Sequence, residues 1–137
     1  MTERVVIVEG VRTPIGRFGG TLKNVSSGFL AAHVITALLN KTGVHPEQVE
    51  EVILGEVRQT TESSNVARVA TIRAKLPVEV PAFTINRLCA SGMQAIASGV
   101  QQIQSGHAQI VIAGGTESMS NAPIYLRNSR FGEGNPY

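Results

Sequence analysis

At 137 residues and 42% hydrophobic, the chain is long enough for one domain with a real core, since a globule near this size buries roughly two-thirds of its unfolded surface. Only 16% of residues are charged, against about 25% in an average soluble protein, which suggests surface covered by a partner or by further sequence. The net charge of +2 is small and the twelve Lys and Arg are scattered without a basic run, so composition argues against a nucleic-acid partner.

Val5-Val6-Ile7-Val8 is a β-branched run without alternation, as expected of a strand buried on both faces. It is too short for a signal-peptide core or a membrane span, so a cytoplasmic protein with no membrane partner is expected. A loop punctuated by Gly10, Pro14, Gly16, Gly19 and Gly20 leads to a helix starting near Ser26 or Ser27. Its apolar residues Leu30, Val34, Leu38 and Ala31, Ile35, Leu39 repeat every four positions, and Gly43 ends it. Pro46 suits the first position of a short extra turn.

Val52-Ile53-Leu54-Gly55 reads as the second strand, and a polar stretch from Thr60 to Ser64 leads to a helix through Val66, Val69, Ala70 and Ile72, stopped by Pro77. Ala82-Phe83-Thr84-Ile85 reads as the third strand. The helix after it carries Met93, Ile96, Val100 and Ile103 on one face and the small residues Ala90, Gly92, Ala95, Ser98 and Gly99 on the other. Such a helix suits close packing against two layers, so a central, buried third helix is expected. Ile110 to Gly115 is the fourth strand. This βαβαβαβ order implies an α/β fold with a parallel sheet and right-handed crossovers. After Ala122-Pro123 the pattern fades into turn composition, so residues 1–120 are expected to form the domain and 121–137 to begin another unit that is cut short.

The one cysteine, Cys89, excludes an intramolecular disulfide and a multi-cysteine zinc site. It lies where the third strand hands over to the third helix. The first turn of a helix leaves N–H groups unpaired and carries partial positive charge, both of which favour a thiolate, the nucleophilic form. The alternative is a small buried hydrophobe. In open parallel sheets ligands bind outside the carboxyl ends of the strands, and both Cys89 and the Gly114-Gly115-Thr116-Glu117-Ser118-Met119 loop fall at that edge. A nucleophilic cysteine also needs a base and an oxyanion stabiliser. The backbone N–H of Cys89 is one candidate donor. His33 within a helix, His45 before Pro46 and His107 at the opposite sheet edge are poorly placed as the base. Glu117 is a candidate acid or base, and Gly114-Gly115 alone is a weak phosphate-loop signal.

Four segments resemble the amino-terminal part of the thiolase family, the acetyl-CoA C-acetyltransferases. They are Arg12-Thr13-Pro14-Ile15-Gly16-Arg17-Phe18-Gly19-Gly20, Val80-Pro81-Ala82-Phe83-Thr84-Ile85-Asn86-Arg87, Cys89-Ala90-Ser91-Gly92-Met93, and Ala113-Gly114-Gly115-Thr116-Glu117-Ser118-Met119-Ser120, in the family's order along nearly the whole chain. The resemblance implies a thiolase-like N-terminal half in which Cys89 attacks an acyl-CoA thioester and holds the acyl group. It then passes that group to the enolate carbon of a second acetyl-CoA, or the same steps run backward with CoA as acceptor. It also implies a homo-oligomer, acetyl-CoA or 3-ketoacyl-CoA as substrate, no prosthetic group and no metal, and it assigns no CoA-binding residue to this chain.

Two segments depart from the family. Gln59-Thr60-Thr61-Glu62-Ser63-Ser64-Asn65-Val66-Ala67-Arg68 keeps only the Gln, Asn, Ala and Arg of a Gln-Ala-Gly-x-Gly-Gln-Asn-Pro-Ala-Arg stretch, and Ala-Ser-Gly follows the cysteine where Gly-Ser-Gly is usual. A complete thiolase continues with a CoA-binding loop domain, where residues 121–137 would start, and then a second α/β half. That half carries an Asn-x-His segment, supplying the activating histidine, and a Cys-x-Gly-Gly segment. The rival readings are a condensing enzyme of the ketoacyl synthase type and a non-catalytic dimerisation fragment.

Overall fold

The computed structural model describes residues 4–126. Three strands, β1 (Glu51–Gly55), β2 (Ala82–Ile85) and β3 (Val111–Gly115), form a parallel sheet in the order β2-β1-β3. Val52 pairs with Ala82 on one side and Ile112 on the other, and Gly55 pairs with Ile85 and Gly115. All three strands therefore end level at one edge. β1 is the central strand, and its Val52, Ile53 and Leu54 are buried on both faces, as the continuous apolar run requires.

Two helices, α1 (Ser27–Thr42) and α2 (Val66–Arg73), cover one face, where Ala31, Ala32, Ile35 and Leu39 join Val66, Ala67 and Ala70 over Val52, Leu54 and Ile112. Gly43 stops α1 in the left-handed conformation (φ 71°) and donates its N–H to Leu39, the αL helix stop that glycine supplies without a Cβ penalty. Pro46–Gln48 forms the expected short 3₁₀ turn. The third helix, α3 (Ser91–Gln104), lies on the other face with Ala95 and Gly99 against the sheet. The α/β architecture is thus the one expected, with helices on both sides of a parallel sheet.

Two details differ. Val5–Val8 is not a strand; it runs unpaired, with Val6, Ile7 and Val8 at 67%, 78% and 80% exposure. Its β-branched composition gives the propensity, but a strand exists only when a neighbour supplies the ladder, and no described strand pairs with it. The segment continues instead along a groove of about 560 Å³ between residues 9–18, α1 and β3. The expectation of a buried α3 is also corrected. Its small face packs, whereas Met93 is 76% and Ile96 is 42% exposed, because among the described residues there is no second layer beyond it. Of 121–137, only the part up to Leu126 lies within the described residues; the expected start of a further unit at 127–137 lies outside them.

Candidate active site

The carboxyl edge of the sheet gathers three loops, one after each strand. After β2 the chain makes the turn Asn86-Arg87-Leu88-Cys89-Ala90 before entering α3. Leu88 takes φ 50°, the left-handed region that costs a non-glycine residue on the order of 1–2 kcal/mol. Its N–H donates to Asn86 Oδ1 at 3.0 Å, and Ser91 Oγ donates to its carbonyl at 2.6 Å while accepting the N–H of Arg87 at 2.8 Å. Ala90 and Ser91 donate their N–H groups back to the carbonyls of Arg87 and Leu88. These bonds close the turn, which presents Cys89 as a free, exposed thiol two residues before the start of α3.

The height of α3 on the sheet is set by glycine. A Cβ on Gly55 would come within 2.4 Å of the Ser91 carbonyl carbon and 2.6 Å of Gly92 N, and one on Gly115 would come within 3.3 Å of Gly92 Cα. The first turn of α3 therefore rests directly on the backbone of β1 and β3. No other residue type allows that approach, which brings the cysteine to the very end of the strands.

Glu117, a candidate acid or base by sequence, is engaged in structure. Its Oε2 accepts the N–H of Val57 at 2.8 Å and its Oε1 accepts that of Arg58 at 3.1 Å, clamping the loop that leaves β1. Around it, the loop after β3 is latched to the entry of α1: Thr116 Oγ1 donates to Ser27 O, Ser118 Oγ to Val25 O, and Ser120 Oγ accepts from Gly19 N. Of Gly114-Gly115, the second serves the close approach of α3, which accounts for that half of the weak phosphate-loop signal.

Beneath these loops Glu56 is almost fully buried, and neither of its carboxylate oxygens, nor the hydroxyls of Ser26 and Ser27, finds a hydrogen-bond partner. Burial pushes the Glu56 carboxyl above the usual carboxylate value; the nearby Ser27 hydroxyl opposes this and the charge of Glu117 adds to it. Sequence reading missed Glu56, and the only signal was an acidic residue directly after an apolar strand.

The histidines fall where the sequence placed them. His33 is exposed on α1, His45 begins the 3₁₀ turn that precedes β1, and His107 follows α3, with its Nδ1 2.7 Å from Ser105 Oγ. Since α3 has 14 residues, His107 lies about 20 Å along the helix from Cys89. Among the described residues no histidine shares the edge with Cys89, and no group of three metal-ligating side chains occurs.

The divergent stretch before α2 has a structural use that its sequence did not reveal. Asn65 caps α2 by accepting from Arg68 N, accepts a second bond from Thr84 Oγ1 and donates to Ala82 O. Arg68 reaches over to the carbonyls of Val80 and Val78 at 2.8 and 2.9 Å. Asn65 thus ties α2 to β2, the strand that ends in the Cys89 turn, and Arg68 ties α2 to the loop leading into it.

Comparison with known proteins adds to this geometry. The family model described as "Thiolase, N-terminal domain" matches residues 5–135. An acetyl-CoA acetyltransferase of Syntrophomonas wolfei is 48% identical over 132 residues, covering 96% of this chain and 33% of that protein. A probable acetyl-CoA acyltransferase of Staphylococcus epidermidis is 47% identical over 129 residues, with 94% and 33% covered. Among solved structures, the Bacillus anthracis acetyl-CoA acetyltransferase superposes with a TM-score of 0.88 at 46% identity, over 92% of this chain and 33% of that one. Human mitochondrial 3-ketoacyl-CoA thiolase in complex with CoA gives 0.85 at 46% identity, over 89% and 31%. The chain spans about a third of the length of these relatives.

Proposed function

Since the chain belongs to the thiolase family, through that family's N-terminal domain, we propose that Cys89 is the acyl-carrying nucleophile of a thiolase-type acyltransferase. The observation that carries this reading is the exposed thiol held in a constrained turn at the carboxyl edge of the sheet, two residues before α3. The Sγ thiolate attacks the thioester carbonyl of an acyl-CoA, the carbon–sulfur bond to CoA breaks, and CoA leaves as a thiolate that takes up a proton. The acyl-cysteine then loses its acyl group to the enolate carbon of acetyl-CoA, giving the 3-ketoacyl-CoA and regenerating the Cys89 thiolate. Thiolysis runs the same bonds in reverse. The Cys89 N–H is the proposed oxyanion donor.

A base belongs to this chemistry, and among the described residues no histidine shares the carboxyl edge with Cys89, while Glu56, which follows β1 there, is almost fully buried. Glu117 is spent on two backbone N–H groups. We propose that the activating histidine lies outside this chain and that the 137 residues alone form the acyl-cysteine without turning over. The wider setting proposed is fatty acid metabolism in the cytoplasm, with acyl-CoA and CoA as substrates and no prosthetic group. The exposed apolar side chains Leu88, Met93 and Ile96 beside the thiol support homo-oligomeric association or another covering surface, as the dimerisation reading requires.

The test is intact-mass analysis after incubation with acetyl-CoA. One hydroxylamine-labile acetyl group, absent in Cys89→Ser, is expected, together with no thiolysis of acetoacetyl-CoA. Acetylation that persists in Cys89→Ser would remove the nucleophile assignment. Thiolysis by the pure chain would overturn the claim that the base is absent.

A further inference from the structure

We propose that Asn86 is the positioning residue of Cys89, joining the cysteine turn to the Glu117-clamped loop after β1 and holding Leu88 in its left-handed conformation. This deepens the reading of Cys89 as nucleophile and rests on it for its purpose, although its test needs no acyl-CoA. One carboxamide makes both links. Its Oδ1 accepts the N–H of Leu88 at 3.0 Å, the residue at φ 50° that turns the chain into Cys89. Its Nδ2 donates at 3.1 Å to the carbonyl of Val57, 29 residues away. The N–H of that same Val57 is held by Glu117 Oε2, and the neighbouring Arg58 N–H by Oε1.

The loops after all three strands are therefore joined in series. Glu117, after β3, grips the peptide groups of residues 57 and 58 after β1, and the Val57 carbonyl holds Asn86 after β2. Asn86 in turn sets the backbone that delivers the thiol. The links span separations of 60 and 29 residues, so they are features of the assembled edge rather than of a local turn. The arrangement also gives Glu117 a role other than acid or base. It acts on Cys89 only through the backbone it fixes.

A carboxamide donates through its nitrogen to one backbone group and accepts through its oxygen from another at once, and an asparagine brings its own backbone two residues on within reach. Removing the carboxamide leaves Leu88 in a disfavoured region held only at its carbonyl, by Ser91 Oγ and N–H, and the turn should spread over conformers that no longer present Cys89 at the head of α3. Loss of one net hydrogen bond corresponds to roughly a fivefold change in the population of the held conformer.

The experiment measures the rate of Cys89 alkylation by iodoacetamide in the native 137-residue chain at neutral pH. Each rate is divided by that of the same variant in denaturant, and the folded fraction is checked by circular dichroism. Asn86→Ala is expected to lower this ratio about five- to tenfold. Asn86→Ser, whose hydroxyl still accepts from Leu88 N–H but is too short for Val57, is expected to fall between. Leu88→Gly added to Asn86→Ala is expected to recover part of the loss, because glycine holds positive φ without a clamp. A merely structural asparagine would give no such rescue. Glu117→Gln, which gives up one of its two acceptor contacts, is expected to lower the ratio about two- to fivefold, and it serves should Asn86→Ala fail to fold. A folded Asn86→Ala with the wild-type ratio, or a folded Glu117→Gln with the wild-type ratio, overturns the proposal. Failure of the acetyl-CoA experiment with these ratios as expected would refute the acyltransfer reading and leave the positioning role standing.

Discussion

Gly55→Ala is the most demanding test of how the fold delivers its thiol. The new Cβ would lie 2.4 Å from the Ser91 carbonyl carbon, 2.6 Å from Gly92 N and 2.7 Å from Ser91 Cβ. Carbon atoms rest at about 3.5 Å or beyond, so the first turn of α3 must retreat by about 1 Å. Two of the three obstructing atoms are backbone, and no rotamer change removes them. The retreat also opens the contacts that Ala95 and Gly99 make with the sheet, where a gap of 0.5–1 Å forfeits roughly a quarter to a half of the dispersion attraction. Overpacking of this kind costs about 1–3 kcal/mol, and the backbone clash puts this case at the upper end, about 3 kcal/mol. Urea unfolding followed by circular dichroism reads the loss directly as a lowered midpoint at unchanged slope. The native alkylation rate of Cys89 should fall with it. Gly92→Ala is the control: a Cβ there meets nothing closer than 4.0 Å, and alanine in a helix is favoured over glycine by up to about 1 kcal/mol. A Gly55→Ala chain with the wild-type midpoint and alkylation rate would refute the claim that glycine sets the height of α3.

Glu56→Gln tests the buried carboxyl. Its pKa is raised in the fold, chiefly by burial, so the folded chain holds this proton more tightly than the unfolded one. The corresponding stability is complete below the ordinary carboxyl value and is lost as pH rises through the folded value. Glu56→Gln should therefore melt above the wild type at neutral pH, with the gap closing below about pH 4, whereas a gap that stays constant with pH would show that ionisation is not the cause. Asn65→Ala removes the cap of α2 together with the bonds to Thr84 and Ala82, and a loss of about 2–3 kcal/mol is expected in urea unfolding. A loss below about 0.5 kcal/mol, the range of an ordinary surface change, would count against the tie between α2 and β2.

The elements that sequence reading recovered are those whose signal is local. Four-residue periodicity and Gly43 give α1, the bounded apolar runs give β1 and β3, and the strand before Cys89 ends at Ile85 as its pattern indicated. The small face of α3 was legible because Ala95 and Gly99 lie four residues apart. Where reading failed, the deciding fact was tertiary. Among the described residues, Val5–Val8 has the composition of a buried strand but no paired neighbour, and Met93 and Ile96 have the composition of a core but no layer above them. The candidate site divides in the same way. Cys89 was legible from its place between a strand and a helix. Glu56 was not, because it acts through burial alone, and the long-range bonds of Asn65 to Ala82 and of Asn86 to Val57, 17 and 29 residues away, leave no trace in spacing.

Preorganisation and exclusion of water are separate requirements for an acyl-cysteine. The first is met by groups inside this chain: glycines that seat α3, a left-handed Leu88, and the clamps of Asn86, Ser91 and Glu117. The second is not, because Leu88 and Met93, the large apolar side chains flanking the thiol, stand 68% and 76% exposed. A surface covering those side chains would, on the proposed chemistry, slow hydrolysis of a thioester held at Cys89. On the proposed chemistry, the acyl-cysteine of the isolated chain should decay faster by hydrolysis than one beneath a covering surface. The same surface would bury the apolar area that the low charged fraction of the sequence foreshadows.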